Sequence, residues 1–364
     1  MRFATTEGTL GYSKRFNIPE SHFRQTPVIC GNLTLSSLGM GTYLGNIDDH
    51  IDNLVKEAVI SSVKSGGVNV IDTAINYRYQ RAERSVGRAL EDLFTRTEIK
   101  RDEVFVSTKN GYIPGDGDRG INPRVFIQDL IRNGVVEAKE VVDGIHCMHP
   151  GFLTDQLGRS LNNLQLETID LLYLHNAAES QIGRVGREKF MLRMRKAFQF
   201  LEEQRESKKI QFYGMATWNC FRVPETKKHE FLNLEDVANV AKTVGGEQHG
   251  FRFIQLPINL AMPEAFTEKW QTVNRMNVTL LEAASQLGIR AFASAPLLQT
   301  KLFSAKIPSY PGLETEAQRL LQFVRSIPSE ALIGPLVGHK APNHVKENLK
   351  LIQIPPFNKG NSKK

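Results

Sequence analysis

Residues 169–174 read IDLLYL, an almost wholly apolar run that indicates the class of fold. Successive side chains of a strand point to opposite faces, so a strand that is apolar on both faces belongs in a parallel sheet covered by helices. Seven other short, β-rich runs alternate with longer segments of helical periodicity. They lie at residues 35–41, 68–72, 103–108, 211–216, 253–256, 290–293 and 331–337. Eight uninterrupted units predict an α/β fold, a closed (β/α)8 TIM barrel.

Helical periodicity between these runs supports the same fold. The predicted helices span residues 50–64, 82–96, 187–207, 234–244, 314–326 and 342–351. No strand is followed by G-x-G-x-x-G, so the sequence does not predict a Rossmann domain. We therefore predict that residues 1–364 form a single barrel domain.

Two regions lie outside this alternation of strands and helices. Residues 1–34 precede the first barrel strand and contain a predicted hairpin at 26–34, centred on Gly31-Asn32 and capping the bottom of the barrel. Residues 110–150 are too long for a usual loop after the third strand and include a predicted helix at 122–131. This insertion leaves the face where barrels place their active sites, so it is either a lid or pocket wall, or a decorative excursion. Residues 358–364 form a polar tail that we expect to be frayed.

Composition excludes several function classes. The net charge of +7 comes from scattered basic residues, so no nucleic-acid partner is predicted. No apolar run approaches the ~20 residues that span a bilayer, and residues 1–15 lack the apolar core of a signal peptide. Cys30, Cys147 and Cys220 form an odd, widely spaced set, which argues against a disulfide framework and predicts a cytoplasmic protein. The sequence gives no indication of oligomeric state.

Polar residues at the ends of predicted strands form a set. Asp72 ends the second strand, Lys109 ends the third and His175 ends the fourth, while Tyr77 lies five residues past Asp72. Because the carboxyl ends of barrel strands meet at one face, we expect these four side chains to lie together.

This combination is typical of proton transfer to a carbonyl. A neighbouring ammonium lowers a phenol pKa from ~10 by stabilising phenolate, and Lys109 supplies that charge to Tyr77. A buried lysine needs a carboxylate partner to stay protonated, and Asp72 is on the adjacent strand. His175 then orients the carbonyl oxygen of a substrate by a hydrogen bond.

His146-x-x-His149, with Cys147 between the two histidines, offers side chains that are good zinc ligands. Pro150 and the surrounding loop favour a chance cluster. A metal-dependent barrel hydrolase requires a His-x-His near the first strand, and residues 35–43 contain no histidine. We therefore predict no metal.

Three segments resemble the signatures of the aldo-keto reductase family: VIDTAINY at residues 70–77, STK at 107–109 and IDLLYLH at 169–175. The resemblance extends over residues 23–351, interrupted mainly by the insertion. It implies direct hydride transfer from C4 of a reduced nicotinamide to a carbonyl carbon. It also implies that Tyr77 is the acid/base, with Asp72, Lys109 and His175 completing a catalytic tetrad.

The resemblance further implies a cofactor site. The resemblance implies that residues at the ends of the first, second, fifth and sixth strands and in the loop after the seventh strand contact nicotinamide and pyrophosphate. These are Gly41, Thr42, Asp72, Thr217, Gln255, Ser294, Ala295, Leu297, Gln299 and Lys301. The adenosine-phosphate end falls at the start of the last helix, which suits an anion. Its implied contacts are Gly338, His339, Lys340, His344, Glu347 and Asn348.

The chain departs from the family pattern in the cofactor site. Thr217 follows an alanine where the family often has Ser-Asn, and Ser294 replaces an aromatic that commonly stacks on nicotinamide. A basic pair that often grips the 2′-phosphate is missing. NADP(H) is still favoured because His339, Lys340 and His344 can form a cationic cluster, and NAD(H) remains possible.

The resemblance places Tyr43, Asn176 and Trp218 around the substrate. Asn176 replaces a tryptophan common in the family, which predicts a different pocket. The favoured function is reversible reduction of aldehydes, ketones or sugar-like carbonyls to alcohols. The alternatives are a cofactor-binding sensor or regulatory barrel with little turnover, and a polyol or sugar dehydrogenase acting in the oxidative direction.

Overall fold

A closed barrel of eight parallel strands forms the centre of the protein in the computed structural model, which describes residues 3–28 and 31–357. The strands of the described part are β1 Phe23–Val28, β2 Gly31–Ser36, β3 Gly39–Gly41, β4 Val70–Asp72, β5 Phe105–Asn110, β6 Val141–Val142, β7 His146–Cys147, β8 Ile169–His175, β9 Ile210–Ala216, β10 Phe251–Pro257, β11 Gln271–Val273, β12 Met276–Val278, β13 Arg290–Ser294 and β14 Leu332–Val337. Around the barrel the order is β3, β4, β5, β8, β9, β10, β13 and β14, which pairs again with β3. The predicted barrel is confirmed.

Helices follow the barrel strands and cover their outer faces. Those of the described part are α1 Thr6–Arg15, α2 Asp49–Lys64, α3 Arg81–Arg96, α4 Pro123–Arg132, α5 Pro150–Leu164, α6 Ala177–Val185, α7 Arg187–Glu206, α8 Leu234–Gly245, α9 Glu264–Thr267, α10 Leu280–Gln286, α11 Glu316–Arg325 and α12 Pro342–Leu349. All seven predicted helices are present, with bounds that differ by one or two residues. Helices α1, α5, α6, α9 and α10 were not predicted from the sequence.

The first predicted strand, residues 35–41, is wrong in its extent. Its first residues belong to β2, which pairs antiparallel with β1, and the barrel strand is only β3. Leu33 and Leu35 on β2 are buried and pack with side chains of the barrel interior. A hairpin that plugs the barrel thus carries the same apolar signal as a barrel strand, so periodicity did not separate them.

The hairpin itself is confirmed, but not its centre. Gly31 and Asn32 pair with Val28 and Pro27, so they lie within β2. Residues 29–30, which include Cys30, and the predicted tail at 358–364 lie outside the described residues.

Aromatic side chains fill the barrel interior. Phe253 stacks on Phe292 with ring centres 6.1 Å apart and contacts Phe105 and Phe212, each at 5.4 Å. Close-packed rings leave polar side chains no place in the middle of the barrel, so its chemistry is confined to the carboxyl ends of the strands.

The insertion after β5 contains α4, β6 and β7 and leads into α5. Among the contacts that tie it to the barrel, Arg84 on α3 donates to Asp116 at 2.9 and 3.0 Å, and His146 Nε2 bonds to the His175 carbonyl at the end of β8 at 2.8 Å. It therefore returns to the barrel before α5 begins. Among the described residues, no helix is long and apolar enough to cross a membrane.

Candidate active site

A buried ion pair stands at the carboxyl ends of β4 and β5. Asp72 pairs in register with Ser107, so Lys109 lies two residues further on and projects to the same side. Lys109 Nζ donates to Asp72 Oδ2 at 2.5 Å and to the Thr73 carbonyl at 2.8 Å. Asp72 Oδ1 accepts from Ser107 Oγ at 2.7 Å and from Gln255 Nε2 at 2.9 Å. Both carboxylate oxygens are thus satisfied.

Lys109 keeps its charge in this environment. Burial by itself lowers the pKa of the ammonium, but the negative charge of Asp72 and the hydrogen bond to it more than compensate, so the pKa stands above its ordinary value. A fixed positive charge therefore faces the mouth of the barrel at neutral pH.

Tyr77 lies half-buried above this charge. Lys109 Nζ is 4.9 Å from the centre of the Tyr77 ring, and the rings of His175 and Tyr43 are 5.8 and 4.9 Å from it. Burial raises the pKa of the phenol, and the opposing effect of Lys109 is smaller. The prediction of a net lowering of the Tyr77 pKa is therefore wrong. The phenol is protonated at neutral pH, as a proton donor must be.

His175 ends β8 and is neutral. Burial, and secondarily the charge of Lys109, lower the pKa of its imidazole well below the ordinary value. Its Nδ1 is buried and has no hydrogen-bond partner in the protein. A neutral imidazole can donate a hydrogen bond to a carbonyl oxygen without adding a second positive charge beside Lys109.

The backbone turn after Tyr77 is strained. Arg78, Tyr79 and Gln80 have φ values of 48°, 53° and 72°, the left-handed region that costs a non-glycine residue about 1 kcal/mol or more. Arg78 Nη1 donates to Asp52 Oδ1 at 2.5 Å, and both side chains are buried. Gln80 donates to the Gly115 carbonyl at 2.8 Å. These contacts hold the turn, and with it Tyr77, in place.

Asp52→Asn is expected to loosen this turn. The hydrogen bonds from Arg81 and Arg78 outweigh burial and hold the pKa of Asp52 below its ordinary range, so the variant removes a charge that two arginines use. We expect a loss of about 3 kcal/mol in the free energy of unfolding, because one partner of a buried pair is removed. Urea unfolding measures it. Asp49→Asn is the matched control, since Asp49 also contacts Arg81 but is 92% exposed. Equal losses in both variants would contradict the role of Asp52.

Above the four residues opens a cleft of about 600 Å³. Asp72, Tyr77 and His175 line it, and Lys109 lies beneath Asp72. The predicted cofactor residues that also line it are Gly41, Thr42, Thr217, Gln255, Ser294, Ala295, Leu297, Gln299, Lys301 and Gly338, and the predicted pocket residues are Tyr43, Asn176 and Trp218. The structure thus brings together residues from β3, β4, β8, β9, β10, β13 and β14.

Five predicted contacts at the adenosine-phosphate end do not line this cleft. His339 is buried, bonds to Ser62 Oγ at 2.9 Å and has its pKa lowered to about 4, chiefly by burial. Asn348 contacts His339, and Glu347 accepts from Thr315 Oγ1 at 2.5 Å. The predicted cationic cluster is therefore wrong for His339, which is neutral and faces α2. The remaining two predicted contacts are Lys340 and His344.

The sequence analysis missed Tyr112, which lines the cleft three residues after Lys109. The Tyr112 ring lies 5.0 Å from the ring of His175, and its hydroxyl accepts from Asn176 Nδ2 at 3.3 Å. A tyrosine so close to a strand-end lysine was a usable signal. Leu44 and Asn76 were missed as well, since loop side chains carry no periodic pattern.

His146 and His149, the two candidate metal ligands, make other contacts. His146 Nε2 bonds to the His175 carbonyl at 2.8 Å and His146 Nδ1 to Gln181 at 3.0 Å, while His149 accepts from the Gly151 amide at the start of α5. Within residues 3–28 and 31–357, no group of three or more histidine, cysteine or acidic side chains is placed to hold a metal ion.

The barrel places a charged lysine, a tyrosine and a neutral histidine around one cleft. This combination indicates an oxidoreductase of the barrel class. The model of the Aldo/keto reductase family matches residues 37–253, more than half of the chain. The protein therefore belongs to the aldo/keto reductase family.

Individual relatives are distant. The NADH-specific methylglyoxal reductase of Escherichia coli is 24% identical over 42% of this chain and 41% of its own length. A probable voltage-gated potassium channel subunit beta of Oryza sativa is 28% identical over 36% of this chain and 39% of its own. The chain thus spans about two fifths of these relatives. A solved Klebsiella pneumoniae aldo/keto reductase in complex with NADP and acetate has a TM-score of 0.58 at 18% identity and covers 90% of this chain and 89% of its own, which shows a shared fold.

Proposed function

We propose that the protein is an NADP(H)-dependent reductase that converts a small aldehyde, ketone or sugar-like carbonyl into an alcohol, reversibly. The observation that carries the proposal is the charged Lys109–Asp72 pair beneath Tyr77 and a neutral His175. These groups meet at the wall of a cleft large enough for a small substrate.

The four side chains divide the work on the carbonyl. Tyr77 gives its phenolic proton to the carbonyl oxygen, and the charge of Lys109 stabilises the phenolate that remains. His175 donates a hydrogen bond to the same oxygen and orients it. Asp72 keeps Lys109 protonated. A bound reduced nicotinamide supplies the hydride that the carbonyl carbon accepts.

The residues of the cleft fit a nicotinamide cofactor. Asn76 Oδ1 is buried in its wall without a partner in the protein, so the cleft has unmet hydrogen-bonding capacity. The nitrogen of Gln255 is committed to Asp72, which leaves the amide oxygen to accept from a carboxamide. Lys301 supplies a cation at the loop proposed for the pyrophosphate.

We favour NADP(H) over NAD(H) because two lysines near the cleft can contact an additional phosphate. Lys301 lines the cleft, and Lys340 lies beside the loop that flanks it, with Cε 3.5 Å from the position of a Cβ on Gly45. Without His339 the cationic cluster is smaller than expected, and one relative is described as NADH-specific. Parallel titrations with NADPH and NADH decide this point.

The rim of the cleft favours a substrate with an apolar part. Tyr43, Leu44 and Trp218 are 56%, 45% and 41% exposed and line its mouth. Aromatic rings present large apolar area at small conformational cost, so they suit an uncharged substituent next to the carbonyl. Small apolar aldehydes and ketones are therefore the first substrates to test.

The buried, unpaired Cys147 and Cys220 fit the cytoplasmic location that we also propose.

The alternative functions use the same cleft. A regulatory barrel would bind cofactor with little turnover, and one distant relative is described as a channel subunit. A polyol or sugar dehydrogenase would use the same residues to remove a proton and a hydride from an alcohol. The complete set of Tyr77, Lys109, His175 and Asp72 favours turnover.

Isotope transfer tests the proposal. NADPH or NADH labelled with deuterium at C4 is incubated with a panel of carbonyls and, in reverse, the oxidised cofactors with polyols. We expect deuterium on the carbinol carbon of the product. Tight cofactor binding without label transfer to any substrate would instead support the regulatory barrel.

A further inference from the structure

His146 lies behind the candidate catalytic histidine, in the insertion and outside the cleft. Its side chain is fully buried, with Nε2 2.8 Å from the backbone carbonyl oxygen of His175 and Nδ1 3.0 Å from Gln181 Nε2. No step of the proposed reaction uses it. A buried histidine bonded to the backbone of an active-site residue requires its own explanation.

The neighbours of His146 determine which of its ring nitrogens donates a hydrogen bond and which accepts one. Arg193 Nη1 is 2.9 Å from Gln181 Oε1, and a guanidinium can only donate, so the Gln181 nitrogen must face His146. His146 Nδ1 therefore accepts, and Nε2 carries the hydrogen that is donated to the His175 carbonyl. Arg193 is itself held by Glu140 Oε2 at 3.0 Å. The chain thus fixes both the tautomer and the orientation of His146.

His146 is neutral within this chain. Burial lowers its pKa to about 4, and the bond to the His175 carbonyl opposes this only in part. The charged groups near it are Arg193 and, beyond Gln181, Glu140, which pair with each other. Protonation at physiological pH would put a hydrogen on Nδ1 facing the Gln181 amide hydrogens, so the neutral form is the one that the contacts require.

Gly111 makes room for the imidazole. Its φ is 126°, and a Cβ there would lie 2.7 Å from His146 Nε2 and 3.5 Å from the His175 carbonyl oxygen. A side chain at 111 would therefore displace His146 from its acceptor. The Tyr112 ring completes the arrangement by packing edge-on against both imidazoles, with centres 5.3 Å from His146 and 5.0 Å from His175.

We infer that His146 is a positioning residue for His175. The inference rests on the proposed function, because it takes His175 to be the residue that orients the carbonyl. Active-site imidazoles are usually oriented by a hydrogen bond on the second ring nitrogen, but His175 Nδ1 has no partner in the protein. His146 supplies the missing constraint through the backbone, because it fixes the carbonyl group bonded to the Cα that carries the catalytic side chain. The insertion that carries His146 is then part of the active site.

Nitrogen-15 NMR of histidine-labelled full-length protein tests the hydrogen-bond chain without requiring turnover. The His146 signals are assigned by their loss in His146→Gln. We expect the neutral Nε2–H tautomer throughout pH 5–8. Titration of His146 in this range, or the Nδ1–H tautomer, would overturn the inference even if the enzyme reduces carbonyls.

Kinetics of matched variants test positioning. His146→Leu removes the donor, His146→Gln retains an N–H at similar reach, and Gly111→Ala leaves both histidines present but displaces His146. We expect kcat to fall about 10–100-fold in His146→Leu and Gly111→Ala, with recovery to within about fivefold of wild type in His146→Gln and unchanged cofactor Kd in all three. Equal kcat for Leu and Gln, or a loss confined to cofactor affinity, would overturn it.

These two experiments separate the inference from the proposed function. If the wild-type protein transfers no hydride to any carbonyl, the proposed function fails, and the NMR experiment still decides the hydrogen-bond chain. If His146→Leu does not fold, Gly111→Ala and the NMR experiment give the answer. Retained kcat in Gly111→Ala, together with a displaced His146 signal, would contradict positioning.

Discussion

Lys109→Met is expected to remove carbonyl reduction almost completely and to destabilise the fold. The ammonium lies in a fully buried environment and bonds to Asp72 and to the Thr73 carbonyl, so methionine leaves a buried carboxylate without its counter-charge. Breaking a buried pair in this way costs about 3–5 kcal/mol of unfolding free energy. Loss of the charge that stabilises the Tyr77 phenolate is expected to lower kcat by about 10²–10⁴-fold.

A double variant separates these two effects. In Lys109→Met/Asp72→Asn the orphaned charge is gone, and Ser107 and Gln255 can still bond to the amide. We therefore expect recovery of part of the unfolding free energy, measured in urea, without recovery of kcat. Recovery of activity together with stability would show that the ammonium acts only on the fold.

Arg325→Leu is expected to be the most destabilising substitution at the other end of the barrel. The guanidinium is 1% exposed, and burial lowers its pKa to about 9. It donates to neutral groups only, which are His22 Nδ1, Ser37 Oγ, Gln322 Oε1 and the carbonyls of Leu351 and Ile354. Since a buried acceptor left unpaired costs about 1–3 kcal/mol, we expect a loss of about 3–5 kcal/mol.

Arg325→Lys is the matched control. It keeps the charge but offers three donors in place of five, so we expect an intermediate unfolding free energy in urea. Both variants lie far from the cleft, and the kcat of the protein that remains folded is expected to match wild type. Arg325→Leu as stable as wild type would show that the desolvation cost of the guanidinium cancels its hydrogen bonds.

Much of the fold was predictable because barrel strands are buried on both faces. Because of this burial, segments such as residues 169–174 and 331–337 are near-continuous apolar runs. The same pattern misled at residues 35–41, where the hairpin that closes the barrel bottom is buried as deeply as a strand. Arg325 escaped prediction entirely, because its acceptors come from parts of the chain about 300 residues apart.

The strand-end residues of the site were predictable for a different reason. Parallel strands in a barrel bring their carboxyl ends together, so Asp72, Lys109 and His175 were brought together by topology alone. Loop residues followed no such rule, as Tyr112 and the neutral His339 show. The direction of the Tyr77 pKa shift could not be predicted from the sequence either, because it depends on how far burial outweighs the charge of Lys109.

In the proposed reaction the Tyr77 phenol protonates the carbonyl oxygen during hydride transfer. Single-turnover reduction by wild type and Tyr77→Phe, with cofactor and carbonyl both saturating, measures this step directly. Phenylalanine keeps the ring contacts with Tyr43 and His175 and removes only the hydroxyl. We predict a rate about 10²–10⁴-fold lower with an unchanged cofactor Kd. A rate within tenfold of wild type would show that the Tyr77 phenol is not the proton donor.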